Sequence, residues 1–212
     1  MIDNMKSMLK RVISISKTFL LKPDEQDDLG LLFKNIDNKV NTLSRELGKK
    51  ALFKISEKSA RSIPPMYKDS VKDILLQLVH NSIVHGVETV PERKKSNKGD
   101  QAKIELEMRE EKNAFKINLR DDGRGLNISK LKELAVKRGK YTQQEVETLP
   151  NRKLIPLIFE DGLSTKSDVT EVAGRGEGMS LVKQIVSRHK GKIKVSYKSG
   201  MYFEVGIEMP LN

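Results

Sequence analysis

Cysteine and tryptophan are absent from this chain of 212 residues, and aromatic side chains are scarce, with 6 Phe and 4 Tyr. Without cysteine there is no disulfide scaffold, zinc finger, iron–sulfur site or thiol nucleophile. The same absence fits a reducing compartment, so the expected location is cytoplasmic. No apolar run approaches the roughly 20 residues that span a bilayer, which argues against membrane insertion. Polar residues interrupt the stretch Met1–Lys10, so it has no signal-peptide pattern. What is present is charge: 33% of residues are Asp, Glu, Lys or Arg, with 40 basic against 29 acidic and a formal net charge of +11. The length suits one full domain plus an appendage, since domains run to about 100–150 residues.

An excess of positive charge suits an anionic partner. Binding of single-stranded nucleic acid also wants stacking platforms. No aromatic lies interleaved with a basic cluster, so no nucleic-acid partner is expected. The densest basic patch, Arg93-Lys94-Lys95 through Lys98, sits beside Ser96, Asn97 and Gly99 and reads as a solvated loop.

Apolar residues Ile2, Met5, Met8, Leu9, Val12, Ile13 and Ile15 recur at helical spacing over residues 2–20. After the break at Lys22-Pro23-Asp24, Asp27 or Asp28 is placed to cap a second helix. Leu29, Leu32, Phe33, Ile36, Val40, Leu43 and Leu47 form its apolar face, and Gly48 is a plausible stop. Residues 1–48 therefore read as a helical hairpin, too small to close a core alone. It should pack on a partner or on the domain at 49–212.

From Lys49 the pattern changes to a short strand at 52–56, a helix from about Met66 to His85, and strands at 102–109 and 114–120 joined as a hairpin. Short helices at 128–138, 142–148 and 151–159, a polar stretch, a helix at 177–189 and a closing hairpin at 192–209 complete the chain. This order implies an α+β fold: a two-layer sandwich of a mixed, mainly antiparallel sheet with helices on one face.

Three local patterns carry chemistry. On the helix at 66–85, Asp73, Gln77, Asn81 and His85 recur every four residues along one edge, opposite an apolar face that includes Ser82. An amide oxygen and an imidazole one turn apart suit Mg²⁺ with a polyphosphate, because Mg²⁺ prefers oxygen ligands, phosphates and waters. Asp121-Asp122-Gly123-Arg124-Gly125 follows a strand directly. Its glycines permit a sharp turn and close ligand approach, and a carboxylate there can accept from an exocyclic amine. Gly174-Arg175-Gly176-Glu177-Gly178-Met179 opens a helix, where exposed N–H groups cradle phosphate. A dinucleotide fingerprint is excluded because polar residues, not a strand, precede this box, and no P-loop sequence occurs.

The order and spacing of these boxes resemble the nucleotide-binding domain shared by histidine kinases, DNA gyrase, the mismatch-repair protein MutL and a large heat-shock chaperone. Asn81-Ser-Ile-Val-His85-Gly-Val-Glu88, Asp121-Asp-Gly-Arg-Gly-Leu126, Ile158-Phe159, Leu163-Ser-Thr-Lys166 and Glu171-Val-Ala-Gly-Arg-Gly-Glu-Gly-Met179 look like the ATP-binding domain of CheA-type chemotaxis histidine kinases. The likeness extends weakly into Leu43-Ser-Arg-Glu-Leu-Gly48, similar to the end of the CheA dimerisation helices.

That resemblance implies ATP and Mg²⁺ as cofactors and transfer of the γ-phosphoryl group to a His on another domain or chain. Asn81 would hold Mg²⁺ between the phosphates, and His85 would sit near the phosphates or the metal. Asp121 would accept from the adenine amine, with Gly123 and Gly125 letting the base approach. Gly174, Arg175, Gly176 and Gly178 would wrap the phosphates. Ser164, Thr165 and Lys166 belong to an expected ATP lid at about 161–175, with Lys166 reaching the terminal phosphate. Implied partners are a phosphoacceptor His domain, a response regulator and a second copy of the chain through 1–48. Two positions depart from the family pattern. Gln77 stands where CheA usually has a His, and Glu177 replaces a small apolar residue. An amide is no proton acceptor, so a non-catalytic ATP-binding sensor or scaffold is the alternative.

Overall fold

The computed structural model describes residues 23–57, 59–60, 62–160 and 178–211. The expected helix over 2–20 and the expected lid at 161–175 lie outside them.

Helix α1 (Pro23–Glu46) begins earlier than a cap at Asp27 or Asp28 would allow. Proline is at home in a first helical turn, where its missing N–H has no helical partner to lose. Leu29, Leu32, Ile36, Val40 and Leu43 are buried along one face. The helix stops at Gly48, which takes φ +62°. There the Lys49 N–H reaches Ser44 O at 2.8 Å and the Gly48 N–H reaches Arg45 O at 3.2 Å, closing the last carbonyls in a Schellman turn.

Strand β1 (Ala51–Ile55) follows, then a single turn at Pro65–Tyr67 that leads into helix α2 (Lys68–Asn81). Helix α2 runs on without a break into a wider π turn, Ser82–Gly86. After helix α3 (Val90–Lys95) come strands β2 (Ala102–Glu111) and β3 (Ala114–Asp121), joined by Lys112 and Asn113. Helices α4 (Ile128–Lys137) and α5 (Gln143–Thr148) precede helix α6 (Gly178–Arg188) and the hairpin of β4 (Lys192–Lys198) and β5 (Tyr202–Pro210).

The strands form one sheet in the order β1-β2-β3-β5-β4, parallel between β1 and β2 and antiparallel elsewhere. Alternation sorts its two faces. Ile104, Leu106 and Met108 of β2 are buried, while Lys103, Glu105 and Arg109 between and beyond them are exposed. The buried face joins Ile117 and Leu119 of β3, Val205 and Ile207 of β5, and the apolar faces of α1, α2 and α6 in one core. The fold is thus the α+β sandwich expected, with its helices on one side. A second small core, Leu131, Ala135, Val146, Leu154 and Leu157, gathers α4, α5 and the segment after them.

Helix α1 belongs to the main core. Ile36 and Val40 are fully buried in the cluster that contains Phe53 and Val71. Packing therefore bridges the expected division at residue 48. On the apolar face of α1, Leu29, Leu32, Ile36, Val40 and Leu43 are buried, while Phe33 and Leu47 are half-buried.

The short helical segment expected at 151–159 is present as two tight 3₁₀ turns, Asn151–Lys153 and Ile155–Phe159. Pro150 and Pro156 supply no N–H to an α-helical ladder. The expectation that the basic patch at 93–98 is a solvated loop is corrected: it starts in the last turn of α3, and Arg93 is 1% exposed although Lys94 and Lys95 are exposed. The Arg93 guanidinium donates to Glu88 Oε2 at 3.1 Å, to both carboxylate oxygens of Asp122 at 3.1 Å, and to Gly99 O at 2.7 Å. Lys98 Nζ donates to Glu88 Oε1 at 2.7 Å and to the carbonyls of Asp122 and Gly123 at 2.8 and 2.6 Å. These four side chains pin the chain after α2 to the end of β3.

A buried charge stripped of its partner costs far more than a surface pair contributes. Arg93→Met should therefore lower unfolding free energy by about 3–5 kcal/mol in urea titration. Arg93→Lys should recover only part, because a lysine cannot fork onto Asp122 while also reaching Glu88 and Gly99. An unchanged urea midpoint in Arg93→Met would remove this network from the stability of the fold.

Candidate functional site

The site forms where the π turn after α2 meets the end of β3. The turn exists because the Val87 N–H bonds to Ser82 O, five residues back, at 2.7 Å. Such widened turns reposition the residues around them. Here the backbone of Gly86 is brought against Asp121: a Cβ on Gly86 would lie 2.9 Å from Asp121 Oδ1. A Cβ on Gly123 would lie 2.3 Å from the Gly86 carbonyl oxygen, and that same carbonyl accepts from the Arg124 N–H at 2.9 Å. Neither position has room for a side chain. Gly123 is thus required by backbone packing as well as by any ligand. Gly125 takes φ +66° with its Cβ direction closed by Lys198 O, so it can be nothing larger.

Asp121 ends β3 between Ile104 of β2 and Phe203 of β5, and it is 1% exposed. Its Oδ2 accepts from Ser82 Oγ at 2.8 Å and its Oδ1 from the Gly123 N–H at 3.1 Å. Burial pushes the carboxyl up to about 6, against the pull of those two donors and with a further push from the charges of Asp122 and Glu88. At neutral pH the group is an ionised acceptor in a nearly dry place, with lone pairs left over after two bonds. That donor–acceptor pattern suits a neutral N–H donor such as an exocyclic amine.

On the helical side, Gln77 and Asn81 of α2 and His85 of the π turn are half-buried. Gln77 faces the start of α6, since a Cβ on Gly178 would lie 3.3 Å from Gln77 Oε1. The structure therefore brings the stripe of α2, the Asp121 turn and the last glycine of the third box to one end of the fold. Ser164, Thr165, Lys166, Gly174, Arg175 and Gly176 lie outside the described residues. Among the described residues no group of three or more acidic or imidazole side chains is gathered to hold a metal. Asn81 offers an amide oxygen, a single donor that fits Mg²⁺ only if phosphates and water complete its shell.

Sequence reasoning passed over several participants. Ser82 falls on the apolar face of its helix, and a hydroxyl in an apolar stripe is itself a signal of a buried acceptor nearby. Gly86 carries no mark in the sequence of its contact with Asp121. His80, outside the site, is half-buried, and burial followed by the charge of Lys39 holds its imidazole below the usual range.

Fold and site together define a nucleotide-binding ATPase domain. Residues 66–212 match the histidine kinase-, DNA gyrase B-, and HSP90-like ATPases, and the chain belongs to that family. Its relatives there include CheA-type chemotaxis proteins. The sensor histidine kinase CheAY of Helicobacter pylori is 33% identical over 183 residues, which cover 86% of this chain and 23% of the relative. The chemotaxis protein CheA of Bacillus subtilis is 32% identical over 180 residues, covering 85% and 27%. The gliding motility regulatory protein of Myxococcus xanthus is 31% identical over 182 residues, covering 86% and 23%. The chain thus spans about a quarter of the length of these curated relatives. The catalytic domain of the histidine kinase ThkA aligns over 86% of this chain and 92% of its own, with TM-score 0.49 and 16% identity. Among the described residues no helix is long and apolar enough to cross a membrane.

The raised pKa of Asp121 fixes the sign of two effects. A carboxyl whose folded pKa lies above its unfolded value of 3.8 costs stability at pH 7, and that cost is relieved as pH falls from about 6 toward 3.8. Asp121→Asn should therefore fold with an unchanged or higher melting temperature at pH 7.5. It should bind ATP roughly 10–100-fold more weakly, the value of a hydrogen bond to a charged group. Wild-type affinity measured by calorimetry should fall as pH drops below about 6. The variant should show less of that fall. Equal affinity in the two proteins at pH 7.5 would take Asp121 out of the site.

Proposed function

We propose that this chain is the ATP-binding catalytic domain of a CheA-like histidine kinase, acting in two-component chemotaxis signalling in the cytoplasm. The observation that carries this reading is the buried Asp121 carboxylate, held at the sheet end by Ser82 and Gly123 and facing the glycine backbone of the π turn. Asp121 accepts from the adenine amine. Asn81 would offer an amide oxygen to Mg²⁺, an ion that would supply charge neutralisation for the phosphates. His85 would sit near the phosphates or the metal, Gly174, Arg175, Gly176 and Gly178 would wrap the phosphates with Ser164 and Thr165 beside them, and Lys166 would reach the terminal one. The imidazole of a His on another domain or chain attacks the γ-phosphorus, the bond to the β-phosphate oxygen breaks, and ADP leaves. The ring gives up its proton to water. Partners are then a phosphoacceptor His domain, a response regulator downstream and a second copy through residues 1–48.

A second reading, an ATP-binding sensor without transfer, is favoured by Gln77. Its amide oxygen points toward Gly178 at the start of α6, and an amide removes no proton. Proton removal is a small part of phosphoryl transfer, because an acceptor imidazole is largely neutral near pH 7.

Labelled ATP offered to the chain with a separate His domain should give slow, measurable transfer. Gln77→His should speed it by up to ~10²-fold, the low end of general-base contributions, without changing ATP affinity. Tight binding with no transfer by either protein would establish the sensor. Equal rates would place Gln77 outside the reaction.

A further inference from the structure

A π turn leaves carbonyls without helical partners. Because the Val87 N–H goes to Ser82 O, it skips Ile83 O, and the helix ends there without returning to Val84 O. One side chain closes both gaps. Lys49 Nζ donates to Ile83 O at 2.5 Å and to Val84 O at 3.0 Å. Lys49 is far away in sequence, the second residue after the Schellman stop of α1 counted from Leu47, with its own N–H tied to Ser44 O. Its backbone also bridges Thr89, the residue whose N–H meets Glu92 at 2.8 Å to cap α3. A cation at the carbonyl end of a helix is favoured by the helix dipole as well as by the two bonds.

We propose that Lys49 is a positioning residue for the nucleotide site, tying the docking of α1 to the shape of the turn that bears Asn81, Ser82, His85 and Gly86. The inference rests on reading that turn as part of an ATP site. Its logic is geometric. Ser82 accepts from Val87 through its carbonyl and donates to Asp121 through its hydroxyl, so the width of the turn sets where the hydroxyl points. The turn stays wide because Ile83 O has a partner other than the Val87 N–H. That partner is delivered by α1, whose buried Ile36 and Val40 hold the helix against the catalytic core. Undocking α1 withdraws the ammonium. The turn can then tighten toward ordinary α-helical bonding, which rotates Ser82 away from Asp121 and moves Gly86. Whatever pulls α1 off the domain thereby acts on nucleotide affinity.

The test uses the whole chain and two readouts: ATP affinity by calorimetry and amide exchange at Val87 without nucleotide. Lys49→Met keeps the aliphatic stem and removes the donor. It should weaken ATP about tenfold, a 1.4 kcal/mol change, and speed exchange at Val87. Lys49→Arg, which retains a cation with donors, should restore most of both. In an Ile36→Asp background, Lys49→Met should add little, because the two changes break one connection. If Ile36→Asp does not fold, the Lys49 pair decides alone. Unchanged affinity in Lys49→Met beside a wild type that binds ATP overturns the role of Lys49, even where exchange at Val87 quickens. A wild type that binds no ATP overturns the reading of the site itself.

Discussion

The backbone of Gly86 lies so close to Asp121 and Gly123 that a single added carbon on either glycine would overlap its neighbour. This approach of helix end to strand end sets the rest of the site. It buries the Asp121 carboxylate, which makes the carboxyl reluctant to ionise, and it brings Ser82 within reach as a compensating donor. It also lets the Gly86 carbonyl take the Arg124 N–H, so the chain leaving β3 is registered on the chain leaving α2. Because interiors tolerate little change in volume, such a contact admits only one arrangement of the two segments.

Holding two polar chain ends this close needs charge compensation, and two basic and two acidic side chains supply it there. Arg93 and Lys98 face inward, matched by Glu88 and Asp122, so four ionised groups neutralise one another around the strand end. Asp122 remains partly open to solvent while Glu88 and Arg93 are closed off. The strongest constraint therefore falls on the Arg93–Glu88 side. The carbonyls of Asp122 and Gly123 are held by Lys98 as well, which leaves the turn beside Asp121 little freedom.

Much of this was legible in the sequence. Period-two alternation over 102–108 and 114–119 gave two central strands, because one face of each is dry and the other wet. Asp121 stood out because a carboxylate and two spaced glycines follow a strand directly. Arg93 was illegible: within a run of Arg, Lys, Ser and Asn it carries no local mark of burial, and its partners come from Glu88 and from Asp122, on another strand end. The π turn was hidden for a related reason, since Ser82–Gly86 continues a helical pattern and only the choice of Ser82 O by Val87 widens it. Periodicity found the apolar face of α1 and could not name its partner, because a stripe that fits another helix also fits a core.

Strands β1 and β2 run parallel, and everything from residue 56 to residue 101 lies in the connection between them. Parallel neighbours cannot be joined by a tight turn. This pairing therefore waits on the closure of a long loop, the slow class of event in folding. The π turn sits inside that loop, while Asp121 sits beyond it on β3, so the two halves of the cleft first face each other when the loop closes. A nucleotide then finds its cleft only on chains that have finished folding. Its binding adds to the stability of that finished state alone, in proportion to the logarithm of its concentration over its dissociation constant.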